Sequence, residues 1–261
     1  MSGNIHYKTQ ALERYFSSNR IRWDQFYPSE RKLITRVWPS QSPSILDIGC
    51  GCGGLGLALK ERFGAACYTG IEIHPEAAEK AIRLNSKARI LNGDFLDFYA
   101  RGGLDEAYDM TISLSCIDWN TTFDAMLCRA WETVKPGGMF IASFRLYAGE
   151  GVNDIKRSYQ YINYEGLREG EVAAYVVLNA GELASRLKSL GAVGLIAFGY
   201  YGPPGATAVT PYNELCFTAL AAHKPPYSGP ELELNLPDTI AEILQKTWFD
   251  SPVAAKDKLH V

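Results

Sequence analysis

The chain is poor in several things, and each shortage narrows what it can be. No apolar run approaches the roughly 20 residues that a membrane-spanning helix requires, so neither a membrane span nor a membrane partner is expected. Positive charge is not in excess: 26 Lys and Arg stand against 29 Asp and Glu, for a net charge of −3. A polyanion therefore meets no general attraction, and DNA is not an expected partner. The six cysteines, Cys50, Cys52, Cys67, Cys116, Cys128 and Cys216, show no CxxC pairing, and no secretory pattern opens the sequence. They are expected to be reduced thiols in a cytoplasmic protein. Cys50 and Cys52 lack further Cys or His at ligand spacing, so no metal site is expected. Histidine is scarce, with His6, His74, His223 and His260 making four, and none is placed as a good general base. No internal repeat is present. What remains is 261 residues at 47% hydrophobic composition, enough for one substantial core and a single domain.

From Ser44 onward, β-rich runs alternate with helical patterns, which is how a parallel sheet covered by helices appears in sequence. The strand candidates are SILDIG, CYTGIEI, ARILN, YDMTISL and GMFIASF. Helices are expected over 54–62, 75–84, 123–134 and 180–190, with Lys135-Pro136-Gly137-Gly138 stopping the third. The runs AVGLIAFGYY and ELCFTALAAH, joined by a loop of about a dozen residues, form a closing antiparallel pair. Two helical segments, 8–16 and 28–38, precede the sheet. A Pro-rich tail with a helix over 237–248 follows it.

The densest feature is ILDIGCGCGGLG, Ile45 to Gly56. Glycines between a strand and a helix let the backbone approach a ligand closely, and the helix N-terminus offers free N–H donors. Two overlapping GxGxxG patterns fit a dinucleotide fingerprint, and Glu72 follows at a distance suited to a ribose hydroxyl. Asp47 lies within the turn motif, Glu72 ends the second strand, and Asp94 follows the third in NGDF. Acids at three successive strand ends imply a ligand with several polar groups.

Taken together, ILDIGCGCGG, GIEIH, NGDF, YDMTISL and VKPGG resemble the motif set of the class I S-adenosylmethionine-dependent methyltransferases over roughly 44–144. The resemblance implies a Rossmann-like, doubly wound α/β fold. Its seven-stranded sheet has an antiparallel last strand, with an N-terminal helical lid and an insertion after strand five. The parts are then a lid over 1–43, a cofactor-binding core over 44–144, an acceptor-side insertion over 145–179, closing strands over 180–224 and a tail over 225–261. S-adenosylmethionine is the implied cofactor. The turn of Gly49, Cys50, Gly51 and Gly53 would hold its methionine part, and Asp47 would orient that turn or its waters. Glu72 would accept both ribose hydroxyls, and Asp94 the adenine amino group. Ile73 and Phe95 would pack on the ring, and Ser113 and Leu114 would line the methionine. From the lid, Arg20, Arg22, Trp23 and Tyr27 are candidates to meet the methionine carboxylate.

Methyl transfer chiefly needs nucleophile, methyl and sulfur held in line. A hydroxyl or ammonium acceptor must also lose a proton, and Asp118 stands where a base would help. Trp119, Tyr147, Tyr200 and Tyr201 are candidate acceptor contacts, joined by Tyr159, Tyr161, Tyr164 and Tyr212 as an aromatic wall. The leading expectation is a methyltransferase acting on an O or N atom of a small molecule. A protein or RNA acceptor, or a non-catalytic cofactor-binding role, stays open. The [DN]PP[YF] motif of amino-adenine and glutamine enzymes and a Pro-Cys nucleophile are both missing, since SCIDW occupies that place. An NAD-dependent oxidoreductase ranks lower because it would not require these motifs together.

Overall fold

The computed structural model describes residues 11–104, 107–163 and 166–250. His6, His260 and Tyr164 lie outside the described residues. Two helices come first, α1 (Ala11–Ser18) and α2 (Pro28–Val37), with one 3-10 turn at Trp23–Gln25 between them. Pro28 opens α2, where a missing N–H costs nothing, and the Glu30 carboxylate turns back to accept the Tyr27 N–H at 3.0 Å.

Strand and helix then alternate: β1 (Ser44–Ile48), α3 (Gly54–Phe63), β2 (Cys67–Glu72), α4 (Pro75–Leu84), β3 (Arg89–Asn92), α5 (Phe95–Ala100), β4 (Tyr108–Ser113), α6 (Phe123–Glu132) and β5 (Val134–Tyr147). After β6 (Tyr159–Tyr161), β7 (Val172–Ala174) and β8 (Leu178–Asn179) come α7 (Ala180–Ser189), β9 (Gly194–Gly202), β10 (Ala208–Val209), β11 (Leu215–His223), β12 (Leu232–Asn235) and α8 (Asp238–Asp250).

The main sheet runs β12-β9-β11-β5-β4-β1-β2-β3, with β8 added beside the far end of β5. β1 to β5 are mutually parallel, whereas β11 runs antiparallel to both β5 and β9. The central strands are buried on both faces, which is why they read as unbroken apolar runs. One core, holding Phe123, Phe140, Phe144, Leu183 and Trp248, lies under α6, α7 and α8. The other, holding Leu33, Ile34, Leu59 and Met110, lies under α2 and α3.

All seven expected strands are present, and the sheet extends beyond them. The tail adds β12 parallel to β9, so the antiparallel strand is not the last in the chain. The insertion and the β9–β11 loop contribute a separate three-stranded sheet, β10-β6-β7. One expectation is corrected: Lys135 to Gly138 does not stop a helix. α6 already ends at Glu132, and the Pro-Gly-Gly run sits inside β5 as a bulge, where pairing jumps from Tyr108–Val134 to Met110–Met139. Gly138 is needed there because a Cβ would lie 2.7 Å from the Asp109 carbonyl oxygen.

Strand order reverses between β1, whose successors step one way, and β4, whose successors step the other. In open α/β sheets the crevice at such a point, beyond the C-terminal strand ends, takes the ligand.

Candidate functional site

At that crevice the end of β1 turns sharply. Gly49, Gly51 and Gly53 have φ of 76°, 54° and 75°, a region that side chains disfavour. At Gly49 a Cβ would also fall 2.4 Å from the Cys116 sulfur. Glu72, at the end of β2, holds the turn: Oε2 accepts the Gly51 N–H at 2.8 Å and Oε1 accepts the His74 N–H at 2.8 Å. Glu72 is 8% exposed, and burial raises its carboxyl pKa against the lowering pull of those two amides.

A cavity of about 580 Å³ opens above this turn. Gly49, Gly51, Glu72, Ile73 and Phe95 line one end. Asp118, Trp119, Arg145, Tyr175 and Tyr200 line the other. Tyr15, Phe16, Arg20 and Tyr27 approach from the N-terminal helices, while Gln160, Tyr161 and Thr207 descend from the small sheet and its connections. A lesser cavity of about 60 Å³ lies beneath the turn, lined in part by Asp47, Cys50, Leu114 and Arg20. The structure therefore brings together on the main wall Gly49, Gly51, Glu72, Ile73, Phe95, Asp118, Trp119, Tyr27 and Tyr200. Asp47, Cys50 and Leu114 meet at the smaller space.

Nine expected residues lie off both walls, among them Trp23, which meets the Phe63 ring edge-on at 5.2 Å, Tyr159, which meets Tyr161 at 5.5 Å, and Tyr212. Gly53 caps α3 and faces α4, its carbonyl accepting from Asn85 at 3.1 Å. Asp94 caps α5, its Oδ1 accepting the Leu96 N–H at 2.7 Å, so it sets Phe95 rather than lining the space itself. Ser113 is fully buried under the strand ends, with its hydroxyl 3.4 Å from the Ile48 carbonyl oxygen. Arg22 points into solvent and pairs with Asp24; the neighbouring Arg20, at φ 62°, is the cation that turns inward. Tyr147 packs against Tyr212 outside the cavity, with ring centroids 4.6 Å apart and planes tilted by 49°. Tyr201 falls on the opposite face of β9 from Tyr200, as alternation along a strand requires.

Arg20 bridges the two cavities. It pairs with the buried Glu30 at 3.0 Å, and its guanidinium lies over the rings of Phe26 and Tyr27 at 4.7 and 5.3 Å. Asp118 is 4% exposed and pairs with Arg145 at 2.9 Å. Burial pushes its pKa up to about 6, with Arg145 opposing the rise. Sequence reasoning missed Arg145 and Tyr175. The signal for Arg145 was a lone charge inside IASFRLY, a run otherwise fit for a buried strand.

The site fits an adenosyl cofactor. Each Glu72 oxygen holds one amide and keeps acceptor capacity, which suits a vicinal diol. Ile73 and Phe95 present apolar surface beside it, and the side-chain-free turn leaves room for the remainder. Among the described residues, no group of three His, Cys, Asp or Glu is arranged to hold a metal ion. Nor is any helix there long and apolar enough to cross a membrane.

Fold and site together define an α/β nucleotide-cofactor-binding protein. Residues 45–138 match the family model described as a methyltransferase domain. The chain is 38% identical over 132 residues to the biotin biosynthesis bifunctional protein of Bordetella avium, a match covering 49% of this chain and 27% of that one. It is 25% identical over 191 residues to the malonyl-[acyl-carrier protein] O-methyltransferase of Geobacter sulfurreducens, covering 70% of each. Among solved structures, phosphoethanolamine N-methyltransferase 2 of Haemonchus contortus, in complex with S-adenosyl-L-methionine, shares the fold at a TM-score of 0.55 and 16% identity, over 82% of this chain and 56% of that one. Residues 45–138 thus carry a methyltransferase domain, and the likenesses together support a class I S-adenosylmethionine-dependent methyltransferase. Arg145, Tyr175 and Tyr200 lie beyond the stretch that the family model matches.

Proposed function

We propose that the chain transfers a methyl group from S-adenosylmethionine to an oxygen or nitrogen atom of a small molecule held in the 580 Å³ cavity. The observation that carries this reading is the continuity of that cavity from Glu72 at one end to Asp118 and Trp119 at the other, under the small sheet formed by β6, β7 and β10. The bound cofactor supplies an already activated methyl group on a sulfonium. The protein's part is to orient and to manage a proton. Glu72 accepts from the ribose hydroxyls, Ile73 and Phe95 pack the base, and Arg20 and Tyr27 stand ready for the methionine carboxylate. Asp118 accepts the hydrogen of the acceptor's O–H or N–H. With its pKa lifted to about 6, it stays largely ionised at neutral pH while being a better base than a solvated carboxylate.

The test is calorimetry with S-adenosylhomocysteine. The wild type should bind it, and Glu72→Ala should weaken binding by about 1.5–3 kcal/mol, the worth of hydrogen bonds to a charged group. Binding of NADH in its place would overturn the reading. Incorporation of labelled methyl from the cofactor into a metabolite extract then identifies the acceptor.

A further inference from the structure

Arg145 is 4% exposed near the end of β5, and one side chain ties three segments together. Its Nε donates to the Val176 carbonyl at 3.1 Å. Its Nη2 donates to the Asp118 carbonyl and pairs with Asp118 Oδ2 at 2.9 Å. The guanidinium lies over the rings of Trp119 and Tyr175, 4.5 and 3.9 Å from their centroids, where the two rings meet edge to face. The other carboxylate oxygen, Asp118 Oδ1, is buried and has no hydrogen-bond partner within the protein. A buried charged oxygen without a donor is costly, and such a group survives only where the surroundings impose it.

We propose that Arg145 is a positioning residue for methyl transfer, clamping Asp118 in one orientation and in its ionised form so that Oδ1 remains for the acceptor's hydrogen. This rests on the reading of Asp118 given above and adds to it the group that makes it work. The charges around Asp118 support the assignment. Arg145 reaches it from β5, and the carboxylate of Glu30, on α2, acts with the opposite sign. Glu30 is itself paired with Arg20 at 3.0 Å. The Cys116 thiol, at the head of the same turn, and the Tyr175 phenol also feel the Asp118 charge. Among the described residues, Arg145 is thus the cation paired with this carboxylate. Lysine cannot replace it fully, since a compact ammonium lacks the planar fork that reaches several acceptors while lying over two rings.

The experiment is a carboxyl carbon-13 NMR titration of aspartate-labelled protein without cofactor or acceptor, the Asp118 signal being assigned by its loss in Asp118→Asn. In the wild type the midpoint should fall near 6. In Arg145→Met it should rise by about one to three pH units, because burial is then unopposed, and Arg145→Lys should recover part of the change. Should Arg145→Met fail to fold, Arg145→Met/Asp118→Asn, which removes the stranded charge with its partner, should fold and melt higher than Arg145→Met. A midpoint indifferent to Arg145→Met or Arg145→Lys, or a double variant no more stable than Arg145→Met, would overturn the clamp. A midpoint that moves while Asp118→Asn leaves labelled methyl incorporation from extract unchanged would instead sink the reading of Asp118 on which the clamp rests.

Discussion

Asp47 shows how far burial governs single residues here. It is 3% exposed, its Oδ2 accepts the Tyr68 hydroxyl, and burial pushes its pKa up to about 7 despite that bond. A solvated aspartate titrates near 3.9, so between about pH 4 and 7 the folded chain holds a proton that the unfolded chain has lost. The stability this group contributes is complete below about pH 4 and is lost as pH rises through 7. His223 works in the opposite sense: burial drives its pKa down to about 4, so its contribution is complete above 6.5 and is lost as pH falls toward 4. Above pH 6.5 the histidine is silent. We therefore expect the melting temperature of the cofactor-free protein to fall between pH 6.5 and about pH 8, and Asp47→Asn to flatten that fall. Parallel slopes for the two proteins in thermal denaturation would show that Asp47 is not the group responsible.

At the scale of elements, the glycine turn and the N-terminal helices form one joint. Gly54 is the first residue of α3, where alanine would ordinarily stabilise the helix by up to about 1 kcal/mol. Here a Cβ would meet the Arg20 carbonyl oxygen at 2.0 Å and the Ile21 Cα at 2.7 Å, both backbone atoms that cannot rotate away. The clash outweighs the propensity. Gly54→Ala should displace the Arg20 turn, weaken S-adenosylhomocysteine binding at least tenfold and leave the far-ultraviolet helix signal intact. Unchanged affinity would mean that this joint does not shape the cofactor end. The elements that could be read in advance were those with length and periodicity: β1 to β5, β9 and β11 announce themselves as apolar runs of four residues or more bounded by turn residues. β6, β7, β8 and β10 have two or three residues each, too few for alternation to show, and exist because β5 and neighbouring loops offer them edges. The six-residue α5 escaped notice for the same reason.

Across the whole molecule, β12 and α8 are part of the core rather than an appendage. Trp248 of α8 is fully buried, its Nε1 donates to Glu231 at 3.2 Å, and the buried Lys188 lies 4.6 Å over its ring while pairing with the same carboxylate at 3.1 Å. Trp248→Ala should cost about 3–5 kcal/mol. That is a large share of the roughly 5–15 kcal/mol that holds a typical domain together. Urea denaturation should show the midpoint dropping at an unchanged slope, whereas a loss below about 1 kcal/mol would mean that α8 is only loosely attached. The same contrast between local and distant causes divides what was legible in the site. Glycine spacing, the acid ending β2 and the βα alternation are local properties, since a strand, a turn and a helix in succession fix where Gly49, Gly51 and Glu72 must stand. The sequence by itself therefore determined the fold class and the place of the glycine turn and Glu72 at the strand ends. Which lid cation turns inward, which tyrosine faces the cavity, and that Arg145 closes on Asp118 and Val176 across separations of 27 and 31 residues were decided by the tertiary structure alone. Side chains that act as a pair acquire their roles only when packing brings their separate segments to one place, and no local pattern records that meeting.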